Sequence, residues 1–509
     1  MPDISTSGPW STCTPTFASR TQTWKKAYIA LGANVGDKVG NLERACDMLR
    51  SHPLVRLLRT SLLYPTAPMY VADQEMFYNA ACEIETALDP FDLLDFLQEI
   101  EHNLGRVKKI EKGPRSIDLD ILLYEGVIID SQRLTIPHKL MHEREFVLRP
   151  LADMCPDQVI PTPHSCRAVR CFLSDLQPSN PPMTPIVPFA PTINLRPLEH
   201  DRDTKVMSIL NVTPDSFSDG GFHYTTNLAD SFPIEPLDRP YLRHLHSTIS
   251  THMRCGASII DIGGQSTRPN APSITAEEEF ARIRPSLALA AALRPPAISI
   301  DTYRASVFRA ATQLVPHTPL ILNDISAGLF DPDILRVAAE THSTVILMHT
   351  RGTPDTMYKR PHIDYPEGLV RTIARELRAR VAAAEAAGIP RWRIVLDPGI
   401  GFAKTAKQNL ELLRDFAQLR DAEGLRGLPW LVGSSRKGFI GKLLGRSDEA
   451  LRGAKGSRSV AEREWGTAAT VAAAVQGGAD IVRVHDVREM RDVVAVADGI
   501  WRNGLGDPE

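Results

Sequence analysis

The chain has 509 residues, of which 43% are hydrophobic and 23% are charged, and its formal net charge is −3. This length exceeds what one hydrophobic core supports and predicts two or more domains. The nearly balanced charge argues against a nucleic-acid or anionic-membrane partner, and no apolar run reaches the roughly 18 residues that span a bilayer.

The cysteines indicate the compartment. There are seven, and no two form a C-x-x-C pair. This pattern favours reduced thiols in an intracellular, cytoplasmic protein. Residues 1–26 lack the apolar core of a secretory signal, so we expect a disordered tail, with a mitochondrial presequence as the alternative.

Residues 27–155 predict a first domain. An apolar strand (AYIALGAN), a helix (NLERACDMLRSH), two strands (VRLLRTSLLY and FYNAACEIET), a second helix (DPFDLLDFLQEIEHNLGR) and a last strand follow one another. This β-α-β-β-α-β order is that of a ferredoxin-like α+β domain.

The last of these strands, GPRSIDLDILLY (113–124), carries two acids. Asp118 and Asp120 alternate with apolar residues, so both point to one face, which continues with Leu122 and Tyr124. One hypothesis is that both acids face solvent, because a half-buried strand commonly alternates apolar and polar residues. A carboxylate pair beside an apolar run needs cations to offset its repulsion, so a metal site is the competing hypothesis.

Residues 156–204 are rich in proline, which predicts an extended linker that packs in part on its neighbours. Residues 205–509 then alternate helical stretches with eight short β-branched runs: KVMSILNVT, ASIIDIGG, AISIDT, LILNDIS, STVILMHT, RIVLDPG, LPWLVGSSR and ADIVRVHD. Eight such units over about 300 residues predict a (β/α)8 TIM barrel, an α/β fold.

Most of these runs end in polar residues: Asn211, Asp261, Asp301, Asn323, His349, Asp397, Ser434 and Arg483 with His485. A single polar strand end normally meets solvent. Their recurrence at the same end predicts an active-site rim. Carboxylates and amides on the middle strands suit a polar heterocycle, whereas Arg436, Lys437, Arg483 and His485 suit an anion.

Two long loops, NVTPDSFSDGG (211–221) and GGQSTRPNAPS (263–273), are either lids or flexible surface turns.

The motifs resemble two enzyme families. ALGANVGD, FYNAA, GPRSIDLDILLY and IPHKLMHEREFVLRPL resemble 6-hydroxymethyl-7,8-dihydropterin pyrophosphokinase over 27–155. NVTPDSFSDGG, DIGGQSTRP, SIDTYR, LMHTRGTPDTM, LDPGIGFAKT, GSSRKGFIG and RVHDV resemble dihydropteroate synthase over 205–503. The resemblance implies a bifunctional enzyme of folate biosynthesis.

For the kinase, the resemblance implies transfer of diphosphate from ATP to the pterin, with two Mg²⁺ ions on Asp118 and Asp120. Arg106, Arg115 and Arg144 would bind phosphate. His138 and Glu101 would contact the nucleotide, while Asn79 and Phe146 would hold the pterin.

For the synthase, the resemblance implies condensation of the pterin diphosphate with p-aminobenzoate and release of diphosphate. Asn211 with one Mg²⁺, Arg268, Arg483 and His485 would bind the diphosphate. Asp301, Asn323, Asp397 and Lys437 would contact the pterin, with Asp397 and Lys437 also catalytic. Thr267, Pro269, Phe402 and Lys437 would surround p-aminobenzoate, where sulfonamides compete.

The resemblance implies a fused order found in plants, protists and fungi. The stretches DIGGQSTRPN, SIDTYR and KQNL are most similar to fungal forms, which usually carry an aldolase domain upstream. No such domain is present here, so we expect a two-enzyme protein or a piece of a longer one. The resemblance also implies a homodimer through the synthase domain. Residues 223–240 and 445–464 look like insertions.

Two rival hypotheses are left open. The barrel is a module that only binds pterin, or one of the two domains has lost its catalytic activity.

Overall fold

The computed structural model describes residues 23–69, 73–106, 113–161, 166–212, 240–266, 271–452 and 456–502. The predicted tail lies mostly outside these residues, as do all but the last residue of the predicted insertion at 223–240 and nearly all of the first predicted lid. Within the described part of the chain, no helix is both long and apolar enough to cross a bilayer.

The N-terminal unit is an antiparallel sheet with helices on both faces. Its elements are β1 (Lys25–Ala33), α1 (Lys38–Ser51), β2 (Val55–Thr60), β3 (Tyr64–Thr66), β4 (Phe77–Thr86), α2 (Pro90–Asn103), β5 (Asp118–Tyr124), the short β6 (Ile129–Asp130) and β7 (Thr135–Ile136), and α3 (Glu145–Met154). The strand order β2-β4-β1-β5 is that of the predicted ferredoxin-like fold, with β3 paired to β4. The predicted strand VRLLRTSLLY is two strands, β2 and β3.

A bulge corrects one prediction about β5. Tyr28 pairs with Leu123 and Ile29 with Ile121, so Leu122 is an extra residue in the ladder. The alternation shifts after Leu122. Tyr124 therefore packs on the face that is covered by α1 and α2, and does not continue the face of Asp118 and Asp120. Its hydroxyl donates to the Leu88 carbonyl at 2.6 Å.

The proline-rich segment is more ordered than predicted. It holds β8 (Val159–Pro161), β9 (Cys166–Ala168), α4 (Val169–Asp175), β10 (Val187–Ala190) and β11 (Ile193–Leu195). Strands β10 and β11 form a hairpin whose Val187, Phe189 and Leu195 pack against the first residues of the barrel strands. The β10–β11 hairpin of the linker therefore covers the N-terminal mouth of the barrel.

The C-terminal unit is the predicted barrel. Its parallel strands are β12 (Lys205–Asn211), β13 (Ile259–Gly263), β14 (Ile298–Asp301), β15 (Leu320–Asp324), β16 (Val345–Met348), β17 (Ile394–Asp397), β18 (Leu431–Val432) and β19 (Ile481–Val484). A parallel bridge between Leu396 and Trp430 closes the ring between β17 and β18.

Helices surround the barrel: α5 (Pro240–Arg254), α6 (Ala276–Leu293), α7 (Ala305–Leu314), α8 (Asp333–Glu340), α9 (Arg360–Ile363), α10 (Leu369–Ala386), α11 (Ala406–Arg414), α12 (Phe416–Arg420), α13 (Gly438–Arg452), α14 (Glu464–Gly477) and α15 (Val487–Trp501). Their apolar faces and the outer faces of the strands form the largest hydrophobic cluster. The expected insertion at 445–464 includes the end of α13.

The two units interlock. Trp392, from the barrel, is fully buried in the hydrophobic cluster of the N-terminal unit, whereas Leu62 and Tyr64 join the cluster of the barrel. Glu43 of α1 accepts hydrogen bonds from Arg393 Nε at 2.7 Å and from Trp392 Nε1 at 3.2 Å. The units therefore share buried apolar and charged contacts.

Candidate functional sites

A cavity opens on the face of β5 that carries Asp118 and Asp120. We call it the carboxylate pocket. It has a volume of about 220 Å³ and is lined by strands β1, β3, β4 and β5 and by residues near the start of α3. Most of the predicted kinase residues line it: Asn79, Arg115, Asp118, Asp120, His138, Arg144 and Phe146. The two acids thus face a pocket, which favours the binding-site hypothesis over a solvent-exposed edge.

Two arginines neutralise Asp118. Arg106 Nη2 lies 2.7 Å from Asp118 Oδ1, and Arg115 pairs with the other carboxylate oxygen. Arg106 also pairs with Glu101, which lies behind the pocket and accepts a hydrogen bond from the Leu119 N–H at 2.8 Å. Burial raises the pKa of Glu101. In this structure Glu101 therefore positions Arg106 and strand β5.

Asp120 is the less compensated acid. Burial, followed by the nearby charges of Asp118 and Glu101, raises its pKa to about 7, while Arg106 and Arg115 lower it only in part. A bound cation would favour its ionised form. Among the described residues no three His, Cys, Asp or Glu side chains converge on one point. A metal held here would complete its shell with ligand oxygens or water, as Mg²⁺ commonly does.

The rest of the pocket suits a planar polar ligand. Asn79 Nδ2 donates to Thr66 Oγ1 at 2.6 Å, and its Oδ1 would lie 3.1 Å from a Cβ at position 32, so Gly32 permits this close approach. The Arg144 guanidinium lies 5.7 Å from the Phe146 ring centre. Burial lowers the pKa of His138, whose Nδ1 is buried with no hydrogen-bond partner among the described residues.

In the barrel, four strand ends meet in one layer. Asn211 is in register with Gly263, Gly263 with Asp301, and Asp301 with Asn323. A Cβ at position 263 would lie 3.3 Å from the Asp301 Cβ and 3.5 Å from Asn211 Oδ1, so glycine brings these two side chains together. The predicted rim residues on β12, β14 and β15 are therefore neighbours.

Arg483 joins the carboxylates of this rim. Its Nε lies 2.6 Å from Asp261 Oδ2 and its Nη2 lies 2.6 Å from Asp301 Oδ2. Asn323 Nδ2 donates to both oxygens of Asp261, at 3.3 and 3.2 Å. Burial raises the pKa of Asp301 to about 7, although Arg483 lowers it. The two acids and the arginine are thus electrostatically interdependent.

The opposite side of the rim is formed by the ends of β17 and β18. Asp397 Oδ1 accepts a hydrogen bond from the Gly399 N–H at 2.7 Å. Burial raises the pKa of Asp397 to about 6, and the Gly399 N–H, Lys437, Lys404 and Arg483 partly oppose the rise. Lys437 Nζ lies 4.2 Å from the centre of the Phe402 ring.

Two predicted rim cations differ in their surroundings. His485 Nδ1 lies 3.0 Å from Ser435 Oγ. Arg436, expected among the anion-binding cations, instead pairs with Asp486, with Nε to Oδ2 at 3.0 Å. Its charge is therefore already compensated, which the strand-end pattern does not reveal. Thr267, Arg268 and Pro269 lie outside the described residues.

The sequence patterns do not reveal a partly buried network behind Asp397. Lys404, His349, Glu376 and Arg351 are linked by hydrogen bonds and ion pairs. His349 ends a barrel strand and Lys404 belongs to the LDPGIGFAKT motif, so both lay within recognisable patterns. Glu376 and Arg351 carry no local pattern that connects them.

Two family models match the chain, one for each unit. Residues 28–156 match 7,8-dihydro-6-hydroxymethylpterin-pyrophosphokinase, and residues 207–485 match the pterin binding enzymes. The fold and these matches define a two-unit pterin enzyme.

Full-length relatives narrow this class. The folic acid synthesis protein fol1 of Pneumocystis carinii is 40% identical over 93% of this chain, and a mitochondrial folate synthesis bifunctional protein of Arabidopsis thaliana is 36% identical over 97% of it. The chain covers 86% of the plant protein but only 60% of the fungal one. The chain belongs to the family of bifunctional folate synthesis proteins.

Solved structures support the fold. The chain superposes on Plasmodium falciparum HPPK-DHPS crystallised with pteroate with a TM-score of 0.72, at 23% sequence identity, covering 94% of this chain and 98% of that one. The predicted order of a ferredoxin-like unit and a TIM barrel is confirmed.

Arg483→Met tests the charge balance of the barrel rim. It leaves Asp261 and Asp301 without their cation, and removing one partner of a buried ion pair typically costs about 3 to 5 kcal/mol. The pKa of Asp301 then rises further, and a group with a raised pKa in the folded state loses its contribution to stability as the pH rises. We therefore expect a larger fall in Tm at about pH 8 than at about pH 6, measured by calorimetry.

The exposed Arg336, paired with Glu340 on the barrel surface, provides the control. Arg336→Met is expected to give a small shift that is the same at both pH values. An equal fall in the Tm of Arg483→Met at the two pH values would contradict the rim electrostatics described above.

Proposed function

We propose that the chain catalyses two consecutive reactions of folate biosynthesis. The N-terminal unit transfers diphosphate from ATP to 6-hydroxymethyl-7,8-dihydropterin and releases AMP. The barrel joins the product to p-aminobenzoate, giving 7,8-dihydropteroate and diphosphate. The observation that supports this best is that the predicted acids, arginines and pterin contacts of the first unit converge on one pocket.

In the carboxylate pocket, ATP and the pterin would lie side by side. Phe146 offers a ring for stacking and Asn79 an amide for the pterin edge, whereas Arg115 and Arg144 offer positive charge for phosphate oxygens. His138, neutral because burial lowers its pKa, offers a ring nitrogen to the nucleotide. Glu101 contributes indirectly, by holding Arg106 beside Asp118.

Asp118 and Asp120 would hold two Mg²⁺ ions. Mg²⁺ would neutralise charge on the transferring phosphates and bring the reacting oxygens into line. The raised pKa of Asp120 fits this assignment, because the pocket supplies less positive charge than its carboxylate needs. The arginines then orient the β- and γ-phosphates towards the pterin hydroxymethyl oxygen.

In the barrel, the pterin diphosphate would lie across the rim. Arg483, His485, Asn211 and Arg268 would receive the diphosphate, with one Mg²⁺ on Asn211. Loss of diphosphate leaves a cation delocalised into the pterin ring, and a carboxylate nearby stabilises it. Asp397 is suited to that role, while Asp301, Asn323 and Lys437 would position the ring.

The p-aminobenzoate amine then attacks the exocyclic carbon. Phe402 and Lys437, already in contact, would form one wall of its site together with Thr267 and Pro269, and sulfonamides would compete there. A barrel that only binds pterin, or one inactive unit, remains the alternative that the following experiment separates.

Asp120→Asn is expected to abolish the kinase reaction and to leave the synthase reaction intact when the pterin diphosphate is supplied. Lys437→Met is expected to do the reverse. Losses of at least about 10²-fold are expected, since each variant removes an electrostatic contact to a charged reacting group. AMP and dihydropteroate are measured in the full-length protein, with Lys139→Met, beside the pocket, as the control.

Wild-type protein that forms no AMP would contradict the kinase assignment. Formation of AMP without dihydropteroate would contradict the synthase assignment and leave the pterin-binding module. Asp120→Asn with unchanged kinase turnover would contradict the metal-binding role of the pair.

We also propose a homodimer through the barrel. Trp465 is 83% exposed at the start of α14, and Val496 and Ile500 on α15 are 65% and 64% exposed. Helices α14 and α15 pack on each other, and Val496 and Ile500 line one surface groove with Ala472 of α14 and Trp501 of α15. Apolar clusters of this kind mark protein interfaces.

Sedimentation velocity is expected to show twice the chain mass of 56.2 kDa. The double variant Val496→Asp and Ile500→Asp should sediment as a monomer, because charge in an apolar interface is costly. Ile128→Asp, which changes an exposed apolar residue of the N-terminal unit, is the control. A monomeric wild type, or a dimeric double variant, would contradict this interface.

The cellular location of the chain stays a prediction. The name of the Arabidopsis relative includes the word mitochondrial. We propose a cytoplasmic location, with mitochondria as the alternative, and expression of the full-length protein with a C-terminal fluorescent tag distinguishes the two.

A further inference from the structure

A buried lysine forms hydrogen bonds to the loop that follows β17. This loop, residues 398–405, connects Asp397 to Phe402 on the barrel rim, and we call it the β17 loop. Lys404 near its end is only 2% exposed and folds back beneath it. Its Nζ lies 3.1 Å from the Gly399 carbonyl oxygen, 3.0 Å from the Phe402 carbonyl oxygen and 3.0 Å from His349 Nδ1.

These three neighbours require a charged amine. An ammonium has three N–H donors and no acceptor, whereas a neutral amine has only two donors. Two of the neighbours are carbonyl oxygens, which can only accept. The third, His349 Nδ1, accepts if the imidazole proton is on Nε2.

The surroundings of His349 place the proton there. His349 Nε2 lies 2.9 Å from Glu376 Oε2, and a carboxylate at that distance calls for an N–H donor. Burial, followed by the charge of Lys404, lowers the pKa of His349 to about 4, so the imidazole is neutral. Although burial raises the pKa of Glu376, hydrogen bonds from His349 and Arg351 lower it to about 2.

Lys404 reaches the rim through the backbone of the loop. The Gly399 carbonyl accepts from Lys404, while the Gly399 N–H donates to Asp397 Oδ1 at 2.7 Å. Gly399 has a φ of +70°, and a Cβ there would lie 2.0 Å from the His349 carbonyl oxygen. The two peptide groups that flank the Gly399 Cα are thus each held by a hydrogen bond, one to Asp397 and one from Lys404, which links Lys404 to Asp397 through a single residue.

We propose that Lys404 is a positioning residue for the synthase reaction, holding Gly399 and Phe402 in its charged form so that Asp397 and the Phe402 ring keep their places on the rim. This inference rests on the function proposed above for the barrel. Lys404 lies beneath the rim and acts through the loop.

The charge of the Lys404 amine depends on pH near neutrality. Burial lowers the pKa of Lys404 to about 7; Asp397 and Glu376 oppose this, whereas Arg351 and Lys437 add to it. Tyr365 donates its hydroxyl to the Ala403 carbonyl at 2.9 Å, and burial raises its pKa, so it stays neutral in this range. As the pH rises through this range, Lys404 loses a donor and one of its three bonds.

The test compares Lys404→Met with Lys407→Met, which changes an exposed lysine in the first turn of α11. Pterin diphosphate is supplied, and kcat and KM for p-aminobenzoate are measured from about pH 6 to about pH 9. At about pH 6 we expect Lys404→Met to raise KM about tenfold with a smaller change in kcat, because the wall at Phe402 is displaced. Wild type and Lys407→Met should lose kcat/KM above neutrality, and Lys404→Met should lack this decline.

Glu376→Gln provides a second variant that keeps Lys404. Since the Glu376 carboxylate raises the pKa of Lys404, its removal should move the alkaline decline to lower pH. Glu367→Gln, which changes an exposed acid paired with Arg375, should leave the decline in place. An unchanged KM in Lys404→Met, or an unmoved decline in Glu376→Gln, would overturn the proposal.

Hydrogen exchange of residues 397–405 gives a readout that does not need turnover. Faster exchange in Lys404→Met than in wild type and Lys407→Met supports the positioning role of Lys404, and equal exchange overturns it. Wild type that forms no dihydropteroate would refute the proposed function, and the exchange result would still decide the role of Lys404. Kinase turnover reports whether each variant is folded.

Discussion

Both candidate sites depend on carboxylates that are partly or fully buried beside arginines. In the N-terminal unit, Arg106 and Arg115 flank Asp118. In the barrel, Arg483 lies between Asp261 and Asp301. Apolar side chains of similar size often stabilise a core as well as such ion pairs do, so packing alone does not account for them.

Each site also keeps acids that its arginines compensate only in part, namely Asp120 in the N-terminal unit and Asp301 and Asp397 in the barrel. The pKa values of Asp120 and Asp397 are raised to about 7 and about 6, chiefly by burial. These are the acids to which the proposed chemistry brings a cation: Mg²⁺ at Asp120, and the pterin cation at Asp397. The stability lost in burying each acid is recovered when its ligand binds.

The fold and the rim could be predicted because their patterns are local. The eight β-branched runs and their polar ends follow from strand periodicity, and the register of Asn211, Gly263, Asp301 and Asn323 follows from the barrel. Contacts between distant residues could not be predicted. The bulge at Leu122 depends on pairing with β1, and the order in the proline-rich segment depends on the barrel mouth that its hairpin fills. No sequence pattern predicts that Trp392 is buried in the other unit, or that Arg436 forms an ion pair with Asp486.

In the proposed reactions, one diphosphate group passes from ATP through the first site to the second, and a label on that group can be followed through both steps. ATP carrying a radioactive γ-phosphate is incubated with the full-length protein, Mg²⁺ and hydroxymethyl-dihydropterin. We expect the label to move to the pterin, and p-aminobenzoate then to release it as diphosphate in amounts equal to the dihydropteroate formed. Label released as orthophosphate, or as diphosphate before p-aminobenzoate is added, would contradict the proposed reactions.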